Sequence, residues 1–76
     1  MTDKILVISQ KHCGACNTVK EYLEWKQKPF KEQVINEDLS YDDFMKDHAE
    51  HADHGTPIVY INDEFVYDPI LYFEMN

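Results

Sequence analysis

The sequence predicts an α/β domain in the order β-α-β-α-β-β-α, with a four-stranded mixed sheet and helices on both faces. Three observations indicate this fold class. A β-branched run near the N-terminus leads directly into a helical pattern. A second strand-like run follows a helix that is ended by proline, which implies a parallel strand pair with a right-handed crossover. Two β-branched and aromatic runs then flank Asn62-Asp63, a pair that favours a tight hairpin.

The first strand and helix are predicted before Pro29. KILVIS, residues 4–9, is typical of a strand buried on both faces, so we expect it near the centre of the sheet. Pro29 disfavours a helical Lys28, and the helix is expected to end there. FKEQVIN, residues 30–36, predicts the second strand. A three-to-four spacing gives the helix one buried stripe, formed by Ala15, Cys16, Val19, Tyr22, Leu23 and the stem of Lys26.

A second helix is predicted after SYDD, residues 40–43. This segment has the form of a capping box, in which the Ser40 hydroxyl and the Asp43 carboxylate bind free amides at a helix start. Gly55 is well placed to close the helix in a left-handed conformation. The predicted apolar face consists of Tyr41, Phe44, Met45, His48, Ala49 and Ala52.

Two strands and a short helix complete the predicted fold. PIVYI and EFVYD, on either side of Asn62-Asp63, are expected to pair as antiparallel strands. Asp68 and Pro69 are typical of an N-cap and a first helical residue. The residues of this last helix that we expect to pack on the sheet are Ile70, Leu71 and Phe73.

The composition is that of one folded domain spanning residues 1–76, with 43% hydrophobic and 13% aromatic residues. Neither an apolar run of about 20 residues nor a signal-peptide pattern is present, so we expect a cytoplasmic protein, and we expect a monomer. The formal net charge of −8 disfavours binding to nucleic acid or anionic membranes. It can steer approach to a basic patch on a protein partner.

Cys13 and Cys16 stand at the start of the first predicted helix. Thiols at this spacing can close a small disulfide ring, and the helix dipole favours an anion at the outer thiol. Cys13 is therefore expected to be the more acidic thiol and the nucleophile that attacks a disulfide. Cys16 would then attack the mixed disulfide and release the reduced substrate. Lys11 and His12 would add positive charge if their side chains pointed at the sulfur.

Zinc binding and plain packing are the alternatives for the cysteine pair. A structural zinc site usually needs four ligands, commonly two such pairs, and this chain has one pair. Two inert buried cysteines at this spacing, between a strand and a helix, would be a coincidence. Thr56-Pro57 favours redox chemistry, because a cis bond at a strand start would leave the Thr56 backbone free to pair with an extended substrate. An ordinary trans proline opening a strand is the alternative there.

Three histidines recur at every third position and raise the question of a metal site. Helical metal pairs usually lie four residues apart, and a spacing of three drifts around the helix. A partly packed His48 and two solvated histidines near a helix C-terminus are the more ordinary arrangement, so no metal site is predicted. The residues concerned are His48, His51 and His54.

HCGAC, PFKEQVIN and GTPIVYINDE together resemble the glutaredoxin branch of the thioredoxin superfamily, in its small bacterial or phage-type form. The resemblance covers nearly the whole chain and implies a minimal thioredoxin fold with a cis Pro57 against the cysteines. It implies dithiol-disulfide exchange, no bound cofactor, glutathione as reductant, and protein disulfides such as that of ribonucleotide reductase as substrates. The implied catalytic residues are Cys13 and Cys16, and the implied substrate-binding residues are Lys11, His12, Thr56, Pro57 and Asp68.

The sequence departs from the glutaredoxin pattern in three places. Gly14-Ala15 stands where Pro-Tyr is usual, and Gln10 stands at the position of a family lysine. Tyr67-Asp68 occupies the place of a glycine pair whose amides hold a glutathione carboxylate, and a negative charge there is expected to hinder an anion.

These departures keep two alternatives open. One is a thioredoxin-like donor that a thioredoxin reductase recharges. The other is a module that binds an iron-sulfur cluster through Cys13, a glutathione thiolate and a second protomer. Cys16 disfavours the cluster, because a ready resolving thiol competes for Cys13.

Overall fold

The computed structural model describes residues 3–52 and 55–75. Its sheet has the strand order β2-β1-β3-β4, with β1 parallel to β2 and antiparallel to β3, and with β3 antiparallel to β4. This arrangement confirms the predicted fold class and places the first strand inside the sheet. The elements in chain order are β1 (Ile5–Ser9), α1 (Gly14–Trp25), β2 (Lys31–Val34), α2 (Tyr41–Asp47), α3 (Ala49–Ala52), β3 (Ile58–Ile61), β4 (Glu64–Val66) and α4 (Pro69–Met75).

The core has two apolar layers, one on each face of the sheet. Side chains alternate between the faces along a strand, so β1 contributes to both layers. The layer beneath α1 contains Ile5, Val7, Val19, Leu23, Val59 and Ile61, with Phe73 of α4 packed against it. The opposite layer, which α2 covers through Phe44, contains Ile8, Ile35, Phe44 and Ile58. Helices therefore lie on both faces, as expected.

The first helix ends at Trp25, earlier than the predicted end at Lys28. Gln27 adopts a left-handed conformation with φ 56°, and its amide donates to the Glu24 carbonyl at 3.0 Å. The Lys28 amide donates to the Leu23 carbonyl at 2.9 Å. These two bonds form a Schellman motif, which ends the helix before Pro29 acts on it. The buried stripe runs from Cys16 to Leu23, since the predicted first and last members, Ala15 and Lys26, are exposed.

The second predicted helix is divided into α2 and α3. The Ser40 hydroxyl accepts from the Asp43 amide at 3.1 Å, as predicted. His48 leaves helical geometry, with φ −126° and ψ 27°, and its Nδ1 lies 2.8 Å from the Tyr60 hydroxyl. α2 has seven residues, of which Phe44 is buried, and it ends before His48. The predicted continuous apolar face is therefore wrong at Tyr41, Met45 and Ala49, which are exposed. The side chain of Ala52 lies outside the described part, and Gly55 is left-handed, as expected.

The hairpin and the last helix form where they were predicted. Asn62 and Asp63 have φ of 54° and 69°, the left-handed pair of a two-residue hairpin turn. Asp68 caps α4, since its Oδ1 accepts from the Leu71 amide at 3.1 Å, and Pro69 is the first helical residue. The expected packing of Leu71 is wrong, because 53% of its surface is exposed. Ile70 and Phe73 are half-buried.

Candidate active site

Cys13 lies where the chain enters α1. His12 takes a left-handed conformation with φ 59°, and this turn after β1 lets Cys13 adopt the extended conformation of an N-cap. The Cys13 Sγ accepts a hydrogen bond from the Cys16 amide at 3.1 Å. The sulfur therefore occupies the place of a capping oxygen, where helix amides and the helix dipole favour negative charge.

Cys13 and Cys16 form a disulfide, with their Cα atoms 5.2 Å apart. The two sulfurs differ in access. Cys13 is half-buried, whereas Cys16 is 1% exposed and packs beneath the helix. An external disulfide can therefore reach Cys13, while Cys16 is accessible only from within the protein.

Thr56 lies against Cys13, and Pro57 follows it in the chain. The Thr56-Pro57 peptide bond is cis, as the resemblance implied. The Cys13 Sγ lies 3.7 Å from the Thr56 carbonyl oxygen and 3.4 Å from the Thr56 hydroxyl. The fold therefore brings together two segments that are 43 residues apart in the chain.

A groove of about 220 Å³ lies beside these residues. Asp68 is one of the residues that line it, and the Asp68 carboxylate caps α4. The Tyr67-Asp68 pair, which replaces the family glycines, thus stands in the wall of the groove. Other residues lining it include Ala15, Thr56, Pro57 and Phe65.

Lys11 and His12 are close in sequence but make no hydrogen bond to Cys13 in the described part of the chain. Both residues are exposed. The Lys11 Nζ lies 3.0 Å from Oε1 of Glu37, which precedes α2. The positive charge of Lys11 is therefore paired with a carboxylate, and the condition that Lys11 points at the sulfur is not met.

Sequence reasoning missed a polar cluster between the middle of α1 and the two parallel strands. The buried Ser9 hydroxyl donates to Oε2 of Glu32 at 2.6 Å, and the Lys20 Nζ lies 2.8 Å from the same oxygen. The hydrogen bond from Lys20, and then that from Ser9, hold the pKa of Glu32 below its ordinary value. A serine closing an otherwise apolar strand was the available signal, but its partners come from two other elements.

His48 and His51 both take part in aromatic packing, which was expected for His48, whereas the expectation of a solvated His51 is wrong. The His48 ring contacts Tyr60 by the hydrogen bond already described, and the His51 ring stacks on Phe65 with centroids 3.9 Å apart. Burial, and then the charge of Glu50, raise the pKa of Tyr60. Across residues 3–52 and 55–75 no group of three His, Cys, Asp or Glu side chains is arranged to hold a metal ion. His54 lies outside the described residues.

No helix within the described ranges has the length and apolar character that crossing a membrane requires. The longest helix, α1, has 12 residues and carries polar side chains along its exposed side.

Comparison with known proteins agrees with this geometry. No curated protein matches the chain. The crystal structure of Glutaredoxin 1 from Francisella tularensis complexed with cacodylate has a similar fold, with a TM-score of 0.71 at 19% identity, over 97% of this chain and 96% of that one. The glutaredoxin family model matches residues 5–66, which include the cysteine pair and the cis proline. The chain belongs to the glutaredoxin family, the thiol-disulfide oxidoreductases of the thioredoxin superfamily.

Proposed function

We propose that the protein carries electrons from glutathione to protein disulfides and glutathione mixed disulfides by dithiol exchange through Cys13 and Cys16. The observation that carries the proposal is the unequal access of the two bonded sulfurs, one half-buried at a helix start and the other 1% exposed. Such chemistry suits the reducing cytoplasm, where thiols are kept available.

The exchange needs two steps. In the first step the Cys13 thiolate attacks one sulfur of a substrate RS–SR′, which forms Cys13–S–S–R and releases R′S⁻. In the second step Cys16 loses its proton and attacks the Cys13 Sγ, which closes the internal disulfide and releases RS⁻ to take up that proton. The two cysteines thereby supply two electrons, and two glutathione molecules restore the dithiol as they form glutathione disulfide.

The groove beside Thr56 and Pro57 is the proposed binding site for the substrate chain. The Thr56 backbone lies next to the reactive sulfur, and an extended peptide could pair with it as an added strand. The net charge of −8 favours clients with a basic surface around their disulfide. Ribonucleotide reductase is a client that the family resemblance suggests. Lys11 and His12 are assigned to the rim of this site.

The source of electrons has one alternative. Asp68 places a carboxylate in the groove, where it opposes the carboxylates of glutathione. Lys11 is paired with Glu37, so its charge does not offset Asp68 fully. This arrangement favours a thioredoxin-like donor that a thioredoxin reductase recharges, as the second candidate.

The test is the rate of reduction of a small glutathione mixed disulfide by glutathione, coupled through glutathione reductase to NADPH oxidation. Turnover that Cys13→Ser abolishes would support glutathione as the reductant. The same protein assayed with thioredoxin reductase and NADPH provides the comparison. Turnover in the second assay alone would replace glutathione by the reductase, and turnover in neither assay would contradict the proposed exchange.

A further inference from the structure

Three polar groups surround the Cys13 sulfur. The Cys16 amide donates to it at 3.1 Å, the Thr56 hydroxyl oxygen lies 3.4 Å away, and the Thr56 carbonyl oxygen lies 3.7 Å away. A disulfide sulfur carries no hydrogen. In this contact the hydroxyl is therefore the donor, and the sulfur is the acceptor.

We propose that the Thr56 hydroxyl is a catalytic group that donates a hydrogen bond to the Cys13 thiolate and keeps that thiolate ionised near neutral pH. The inference rests on the proposed function, in which Cys13 is the attacking sulfur. It assigns to the Thr56 side chain a role that is separate from the pairing of its backbone with substrate.

The two oxygens of Thr56 act on the sulfur in opposite directions. A carbonyl oxygen accepts hydrogen bonds only, so it favours the protonated thiol, which can donate to it, and repels the thiolate. The hydroxyl can donate to the thiolate, and a hydrogen bond to a charged group is stronger than one between neutral groups. Without the hydroxyl, the carbonyl would still disfavour the thiolate, and the Cys16 amide and the helix dipole would be left to stabilise it.

The surroundings leave few other groups that could stabilise the thiolate. Lys11 is paired with Glu37, and no ammonium or guanidinium group among residues 3–52 and 55–75 is hydrogen-bonded to the sulfur. Besides the helix dipole, the donors recorded at the Cys13 Sγ are the Cys16 amide and the Thr56 hydroxyl. The amide is fixed by the helix, so Thr56 is the donor that substitution can remove.

The predicted effect on rate depends on pH. A hydrogen bond to a charged group corresponds to a shift of about one unit in the midpoint of ionisation. Below both midpoints the variant lacking the hydroxyl has about tenfold less thiolate, but each thiolate is about threefold more reactive, because nucleophilicity rises with basicity. The variant should therefore react about threefold more slowly in acid and about threefold faster above both midpoints.

The experiment compares Thr56→Val, which keeps the shape and removes the hydroxyl, with Thr56→Ser, which keeps the hydroxyl. The rate of Cys13 alkylation by iodoacetamide is measured against pH in the fully reduced proteins, with the modified cysteine located by peptide mapping. Circular dichroism checks the fold of each variant. We expect Thr56→Val to raise the pH midpoint of Cys13 ionisation by about one unit and to be alkylated faster than wild type at high pH. The midpoint of Thr56→Ser should stay within a few tenths of a unit of the wild-type midpoint.

Equal midpoints in all three proteins would overturn the role of the hydroxyl. Equal shifts in both variants would also overturn it, because the shift would then come from changed side-chain packing and not from the lost hydroxyl. A wild-type midpoint near 8.5, the ordinary value for a thiol, would instead contradict the activated nucleophile of the proposed function. A low midpoint that Thr56→Val leaves unchanged would overturn this inference alone. If Thr56→Val fails to fold, a midpoint raised in Thr56→Ala and kept in Thr56→Ser supports the inference, and unchanged midpoints in both overturn it.

Discussion

Lys20 and Glu32 join the helix that carries the cysteines to the edge strand of the sheet. The Lys20 Nζ lies 2.8 Å from Oε2 of Glu32, and the buried Ser9 hydroxyl donates to that same oxygen. Ser9 ends β1, Glu32 belongs to β2, and Lys20 lies one turn after Cys16 on α1. These contacts therefore tie the middle of α1 to both parallel strands.

We expect Glu32→Gln to lower the free energy of unfolding by about 1 kcal/mol at neutral pH, because a charged acceptor with two donors is lost. Lys20, and then Ser9, lower the pKa of the folded Glu32 below its ordinary value of 4.5. The stabilisation is therefore present above the unfolded-state pKa and is lost as pH falls through the folded-state pKa. Urea unfolding should show the variant and wild type converging in acid. Glu24→Gln, at an exposed carboxylate of α1, is the matched control, and an equal loss there would contradict the prediction.

Cys13→Ser is expected to abolish exchange, and Cys16→Ser to retain the first step but not the second with protein disulfides. Serine is a good N-cap, so Cys13→Ser should keep α1 intact. Intact-mass spectrometry after mixing with a protein disulfide should find a stable mixed disulfide in Cys16→Ser only. An inert Cys16→Ser together with an active Cys13→Ser would reverse the assigned roles.

Asn62→Ala is expected to lower the free energy of unfolding by about 1 to 2 kcal/mol. The Asn62 Oδ1 accepts from the Lys4 amide at 2.9 Å, and alanine tolerates the left-handed turn poorly. Asp63→Asn keeps a residue suited to the turn and removes only the exposed ion pair with Lys4, so its effect should stay within about 0.5 kcal/mol. Denaturant unfolding measures the loss of free energy of unfolding in both variants. A larger loss in Asp63→Asn than in Asn62→Ala would contradict the prediction.

Asp68→Asn should lower the KM for a glutathione mixed disulfide about two- to fivefold, because one negative charge leaves the groove. Asparagine can still accept from the Leu71 amide, so the cap of α4 is kept. The gain should shrink in high salt, which screens exposed charges. Asp63→Asn, in the distant hairpin turn, provides the control in the same assay. An unchanged KM in low salt would show that Asp68 does not oppose glutathione.

Local signals predicted most of this fold. The Asn62-Asp63 turn and the Asp68-Pro69 helix start involve neighbours in sequence, and both formed where expected. The cysteine pair is equally local: its spacing indicated that a disulfide could close, and Thr56-Pro57 and the family resemblance favoured redox chemistry over zinc and plain packing.

Features that depend on distant partners were missed. The second predicted helix breaks at His48, whose ring is hydrogen-bonded to Tyr60 on β3. Nothing in the helical segment itself indicates that contact. Lys11 was expected to add positive charge only if its side chain pointed at the sulfur, and its ion pair with Glu37 has no signal in the neighbouring sequence. The segment around Glu32 carries no local signal of its polar contacts, because the two donors, Ser9 and Lys20, come from β1 and α1.

The bond between Cys13 and Cys16 also bears on damage by peroxide. An oxidant that converts Cys13 to a sulfenic acid leaves Cys16 within bonding distance, as the disulfide demonstrates. The two groups would condense to the disulfide and release water before a second oxidation makes the irreversible sulfinic acid. After peroxide treatment, mass spectrometry should therefore find the disulfide in wild type and sulfinic acid in Cys16→Ser. Equal levels of sulfinic acid in both proteins would mean that Cys16 does not protect Cys13.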